Sequence, residues 1–194
     1  MSSAVPPRRV QLDSAQLRAL AHPLRSRLLA ALRAFGPATA TELAQRLQTN
    51  SGATSYHLRQ LAEVGLIEEE SEEAGGRQRW WRAAHEVTSY RESSFEDDPD
   101  DRAAADWLFG HHVRLVQRWV EDWLESRREW STEWRDAADL SDYEFALTPE
   151  GLAALNGELR SVVERHRAAA DPAAPGAEKC AVLLQSFPMP SPPL

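Results

Sequence analysis

The chain has a single cysteine, Cys180, in 194 residues, so no disulfide can staple it internally. No apolar run approaches the roughly 20 residues that span a bilayer, which argues against a membrane-spanning helix. The opening residues MSSAVPPRRV lack the apolar stretch of a secretory signal. These absences lead to the expectation of a cytoplasmic protein without a membrane partner. Catalytic signatures are missing as well. No glycine-rich phosphate loop follows a strand, no Gly-x-Ser-x-Gly elbow occurs, and Cys180 has no histidine partner nearby in sequence. Neither an enzyme nor a cofactor is expected.

What is present is an ordinary globular composition, 42% hydrophobic and 27% charged, with a charge of −8 that is unevenly spread. Residues 8–84 carry 11 Lys/Arg against 8 Asp/Glu, whereas residues 85–194 carry 11 against 22. The basic half can approach a polyanion; the acidic half is repelled by one and belongs away from it.

Punctuation along the chain divides it further, with no internal repeat. Residues 1–10 read as a flexible arm. Helical periodicity starts near Asp13, a suitable N-cap, and runs to Ala21; His22-Pro23 ends that helix and opens a second, which stops at Gly36-Pro37. Thr39-Ala40-Thr41-Glu42 is a capping box that opens a short helix. Gln48-Thr49-Asn50 is a tight turn, Asn50 caps a helix over residues 51–64, and Gly65 closes it. Two strands, Leu66–Glu73 and Arg77–Ala83, are joined by Ala74-Gly75-Gly76. The order is that of a winged helix-turn-helix on residues 11–84. An acidic linker follows at 85–101, then a second domain at 102–187 and a proline-rich tail at 188–194. The second domain is expected to hold one long helix from Arg102 to Ala138 and a helix from Thr148-Pro149 to Ala170. Strands at Asp142–Leu147 and Ala181–Phe187 flank that last helix, which allows a small β-α-β unit. The fold class is thus mainly α with small β.

Helical geometry orients the segment after Asn50. With residues about 100° apart, Thr54, Leu58 and Leu61 share a packing face. The opposite side presents Gly52, Ser55, Tyr56, Arg59, Gln60 and Glu63, of which Ser55, Tyr56, Arg59 and Gln60 can hydrogen-bond base edges or phosphates. Gly52 lets a backbone come close, and the free amides at Asn50 and Ser51 favour an anion. His57 lies at the flank, as packing or as a DNA contact. In the hairpin, Arg77 and Arg79 suit a wing resting on phosphate, although the acids Glu68 to Glu73 offer them ion pairs instead.

The residues from about 15 to 83 resemble the ArsR-type winged helix regulators. The resemblance rests on Ala-His-Pro-Leu-Arg at 21–25, TELAQRL at 41–47, SYHLRQLAEVGLI at 55–67 and Arg-x-Arg-Trp-Trp-Arg at 77–82. It implies a homodimer on a near-palindromic DNA operator, usually a repressor, with base-reading positions at Ser55, Tyr56, His57 and Arg59. Metal-sensing members carry Cys-x-Cys in the helix before the recognition helix, or Asp-x-His and His-x-x-Glu sets on a C-terminal helix. Here TELAQRLQ has no cysteine, Asp106 is followed at 108 by leucine, and adjacent His111 and His112 point about 100° apart. No metal site is expected. In its place stands an aromatic stripe: Trp107, Leu108, His111, Leu115, Trp119, Trp123, Trp130 and Trp134 on the long helix, as a dimer interface or a pocket for a small hydrophobic effector. The competing reading is a winged helix that docks protein rather than duplex DNA.

Overall fold

The computed structural model describes residues 8–70 and 79–189. Its backbone falls into two compact units, Pro7–Leu115 and a second made mainly of Val116–Leu194. The chain is helical with small sheets. Among the described residues no helix is long and apolar enough to cross a membrane.

The first unit opens with strand β1 (Arg9–Gln11), followed by α1 (Ser14–Leu20) and α2 (Pro23–Phe35). Asp13 caps α1 in a capping box with Gln16, and His22 caps α2 ahead of a proline in the first turn. Strand β2 (Ala38–Thr39) leads into α3 (Ala40–Arg46), whose start is the Thr39–Glu42 capping box expected from sequence. Helix α4 (Ser51–Glu63) follows. It ends in a Schellman turn: Gly65 takes φ +70, its N–H bonds Ala62 O at 2.9 Å, and Leu66 N–H bonds Leu61 O at 3.0 Å.

Strands β3 (Ile67–Glu70) and β4 (Trp80–Ala83) are antiparallel, with Ile67 opposite Ala83 and Glu70 opposite Trp80. β2 adds to the other edge of β4, giving the order β2-β4-β3. The expected outer ends of the hairpin strands, its glycine turn and Arg77 lie outside the described residues. Strand β5 (Val87–Ser89) pairs in parallel with β1. Thus Arg9 and Val10, read from sequence as the end of a flexible arm, are in a sheet. Residues 85–101, read as an acidic linker, contain β5, a 3-10 turn at Glu92–Phe95 and the start of a helix. Pairing in the 3-residue β1 and β5 joins distant segments, which no local periodicity can announce.

Leu17, Leu28, Leu43, Leu58, Leu61 and Leu66 are buried at the centre, with Trp81 from β4 and Phe95 from the 3-10 turn closing the sides. Helix α5 (Pro99–Ser126) brings Ala104 and Ala105 against the same core. Asp98 caps it, accepting from the N–H groups of Asp100 at 2.8 Å and Asp101 at 3.1 Å. Arg18 on α1 then binds both Asp98, at 2.9 Å, and the buried Asp101, tying the helix start to the helical support.

The expected helix from Arg102 to Ala138 is shorter. It ends at Ser126, passes through a 3-10 turn at Arg127–Glu129, and resumes only at α6 (Thr132–Ala137). The reason is capping chemistry: Trp130 is extended at ψ 153, and the Ser131 hydroxyl accepts from Trp134 N–H to start a new helix. Helix α7 (Pro149–Ala169) begins as expected behind Thr148. The two flanking strands do not form. Residues 142–147 and 181–187 have no ladder partner, and the Ser186 hydroxyl bonds Asn156 on α7 at 2.8 Å, so the β-α-β unit is absent among the described residues.

Candidate nucleic-acid interface

Helix α4 is held from three directions. Its inner side, Thr54, Leu58 and Leu61, is fully buried against the leucine core. The Thr54 hydroxyl, the polar atom on that face, donates to Asn50 O at 3.0 Å, so its burial leaves no unmet hydrogen bond. At its C-terminal end, the Gln16 amide of α1 donates to Val64 O at 3.0 Å, satisfying a carbonyl that the helix itself cannot. At its N-terminal end, the Asn50 carboxamide oxygen accepts from Ala53 N–H at 2.7 Å. The helix before it is pinned in the same way: Arg27 of α2 donates to Leu47 O at 3.0 Å.

The turn between α3 and α4 contains Gln48 at φ +53, the left-handed region. Its amide bonds Gln45 O at 3.2 Å and that of Thr49 bonds Ala44 O at 2.9 Å, so the reversal is fully hydrogen-bonded.

Out of this support α4 presents an uncovered row. Ser51, Gly52, Tyr56, Arg59 and Glu63 are exposed, and Ser55 and Gln60 are half-buried beside them. Tyr56 is 52% exposed, a high value for a ring that the chain had every chance to bury. Arg59 has no hydrogen bond or ion pair among the described residues. Gln60 is engaged, donating to Glu63 at 2.7 Å. Asn50 is exposed, and its side chain is occupied as the cap. A Cβ at Gly52 would meet only the Asn50 side-chain oxygen, at 3.4 Å, so packing within the chain does not demand glycine there.

His57 does not join this row. It is half-buried, its ring 4.3 Å from that of His22 and 5.2 Å, edge-on, from Tyr56. In the hairpin, Arg79 is 64% exposed and lies 3.6 Å from Glu69, and Arg82 lies 2.9 Å from Glu68. Two of the acids of β3, Glu68 and Glu69, are therefore matched by arginines across the hairpin. Arg33 of α2 is a half-buried cation: it donates to His85 O at 2.9 Å, and partial burial lowers its guanidinium to about 10. Sequence reasoning missed Gln16 and His22, whose roles depend on segments nearly 50 and 35 residues away; the one local signal for each was its place at a helix start.

The aromatic stripe is dispersed. In the first unit Trp107 stacks on His111, with ring centroids 4.9 Å apart, and Leu108 packs against the core while Leu115 is half-buried. In the second unit Trp119 is exposed, and Trp130 lies 6.5 Å from Trp123 and 6.1 Å from Trp134, the helix break having moved the last two onto separate elements. A cleft in the first unit is lined by Glu92, Glu96, Asp97, Asp106, Phe95 and Arg102, carboxylate-rich rather than apolar.

Residues 20–70, from the end of α1 through β3, match a family model described as a helix-turn-helix domain. No curated protein matches the chain. Solved structures similar to it include one described as a possible transcriptional regulator for arsenical resistance, 30% identical over 53% of this chain and 94% of that one, with a TM-score of 0.32. Another is the homodimeric winged helix-turn-helix DNA-binding domain, fragment 1–100, of a possible ArsR-family regulator from Mycobacterium bovis. It is 25% identical over 58% of this chain and 82% of that one, with a TM-score of 0.32. A third, an ArsR family transcriptional regulator, is 22% identical over 53% and 93%, with a TM-score of 0.31.

Proposed function

We propose that this chain, whose N-terminal half is an ArsR-type winged helix-turn-helix, regulates transcription by laying helix α4 in the major groove of duplex DNA. The observation that carries the reading is the uncovered row on α4, above all exposed Tyr56 and Arg59 on a helix whose other face is fully buried. A helix fixed so firmly, with hydrogen-bonding side chains left in solvent, suits base-edge reading. Ser51 and Gly52 lie where the first amides of α4 face a phosphate, and Ser55 and Gln60 flank the reading residues. Arg77 and Arg79 contact backbone from the wing, the Arg79–Glu69 pair at 3.6 Å being long and solvent-exposed enough to yield to phosphate. The basic first half makes the contact and the acidic second half stays clear of it.

In the same reading the chain works as a homodimer and represses. Two-fold symmetry sets two copies of α4 about 34–36 Å apart on one side of the duplex. The second unit supplies self-association: Val116 is its one buried side chain among the described residues, while Tyr143 and Phe145 are 81% and 63% exposed. A small hydrophobic effector acting at the tryptophans of α5 and α6 is the regulatory part of the proposal.

The test is a titration of the full chain with labelled duplex of mixed sequence at several salt concentrations. Groove binding through phosphates is expected to weaken steeply with salt, log K falling by about 0.9 per phosphate contact for each decade. Retention that is absent, or indifferent to salt, favours the protein-docking alternative.

A further inference from the structure

His22 and His57 are 35 residues apart in sequence, yet their rings lie 4.3 Å apart with a 38° tilt, beneath the exposed row of α4. The two imidazoles do different jobs. His22 Nδ1 accepts the Leu24 N–H at 3.2 Å and so caps α2, which requires that nitrogen to be unprotonated. His57 Nδ1 is buried without a hydrogen-bond partner among the described residues, so a proton placed there finds no acceptor among them. Arg25 of α2, whose charge acts on both rings, is anchored by donation to the carbonyls of Ala19 and, at 3.2 Å, Arg18. The fourth member is the Tyr56 ring, T-shaped at 71° against His57. The cluster therefore joins the end of α1, the start of α2 and the middle of α4.

We propose that His22 and His57 form a neutral ring pair that seats α4 and aims Tyr56, so that His22 is a positioning residue for DNA reading and acid releases the helix. The inference rests on the DNA reading above and adds to it a residue outside the groove and a sign of pH response. A proton on either ring sets a cation against the guanidinium of Arg25, and a proton on both sets two cations in van der Waals contact. Burial and Arg25 hold His22 below its ordinary value; burial, His22 and Arg25 do the same for His57. The folded arrangement thus favours neutral rings. Its contribution is complete above the ordinary histidine value of 6.5 and is lost as pH falls through the lowered values. A histidine that merely touched phosphate would behave oppositely, binding DNA more tightly once charged.

Duplex affinity of the full chain, measured by anisotropy from about pH 7.5 to about pH 5.5, separates the two. The pair requires affinity to fall in acid, by roughly tenfold across that range. His57→Phe keeps a ring against His22 that cannot take a proton and, whatever its affinity at the upper pH, is expected to lose most of the acid effect. His22→Asn retains a capping side chain but removes the ring, and is expected to bind severalfold more weakly at the upper pH. Imidazole NMR of the DNA-free protein provides the control, since His22→Asn is expected to raise the His57 midpoint. Affinity that rises in acid, or a His57 midpoint indifferent to His22→Asn, overturns this inference alone. A wild-type chain that binds no duplex near pH 7.5 overturns the DNA reading, and this inference with it.

Discussion

At the scale of residues, the interface is defined by what helix α4 leaves uncommitted. Arg59 is exposed and unengaged among the described residues, so its truncation removes nothing from the fold. Arg59→Ala is expected to leave thermal stability unchanged and to weaken binding to a selected duplex by about 1–3 kcal/mol, with base choice relaxed at one position. Equal weakening on every sequence, read in a competition series, makes it a phosphate contact instead. Gly52 offers a sharper separation of fold from function. Among the described residues only the Asn50 side chain stands near its missing Cβ, and glycine within a helix costs about 0.5–1 kcal/mol relative to alanine. Gly52→Ala is therefore expected to raise the melting temperature. If backbone must approach DNA there, the same variant binds more weakly; stabilisation with unchanged affinity removes Gly52 from the interface. The sequence made Thr54, Leu58 and Leu61 legible as the inner face because each follows from helical spacing alone. His57 was readable only as lying at the flank. The ring that decides its role, His22, comes from another helix.

Among elements, the helix-turn-helix was legible because its signals are local: the Thr39 capping box, the Asn50 cap and the Gly65 turn are each fixed within a few residues. The turn still holds a strained point. Gln48 stands at φ +53, where a side chain is disfavoured, so Gln48→Gly is expected to stabilise the chain by about 0.5–1 kcal/mol in urea unfolding. A loss of stability shows that the Gln48 side chain contributes contacts outweighing that strain. The start of α5 makes a prediction in pH. The backbone amide of Asp101, then that of Asp100 and the cation of Arg18, hold the Asp98 carboxyl below its ordinary value. Its stabilisation is complete above the unfolded value of 3.8 and lost as pH falls through the lowered one. Asp98→Asn is expected to be less stable at neutral pH and to show a shallower loss in acid, followed by unfolding at a series of pH values. An unchanged acid limb removes Asp98 from the tie. The elements that escaped the sequence are those made by distant pairing or by its failure. β1 and β5 find one another across almost 80 residues, whereas the segments at 142–147 and 181–187 look like strands but meet no ladder. Periodicity reports which face a segment can bury, not whether a neighbour is there to receive it.

For the whole molecule, a basic stretch at residues 8–84 precedes an acidic one, and the second unit has little interior of its own among the described residues. The described residues of the first unit fold around one leucine core, out of which α4 presents an exposed face. The second unit, by contrast, buries almost nothing among its described residues, which is why its apolar side chains are assigned to self-association rather than to a private core. The charge division was plain in the sequence. The shortening of α5 was not, because Ser131 acts as a cap only once Trp130 has left the helix. The central claim, that α4 reads base edges as one of a symmetric pair, is tested most directly by selecting bound duplexes from a random pool with the full chain. The expected result is a two-fold symmetric consensus with half-sites about one helical turn apart, relaxed at one position of each half-site when Arg59→Ala replaces the wild type. A pool that shows no enrichment under low salt contradicts the claim.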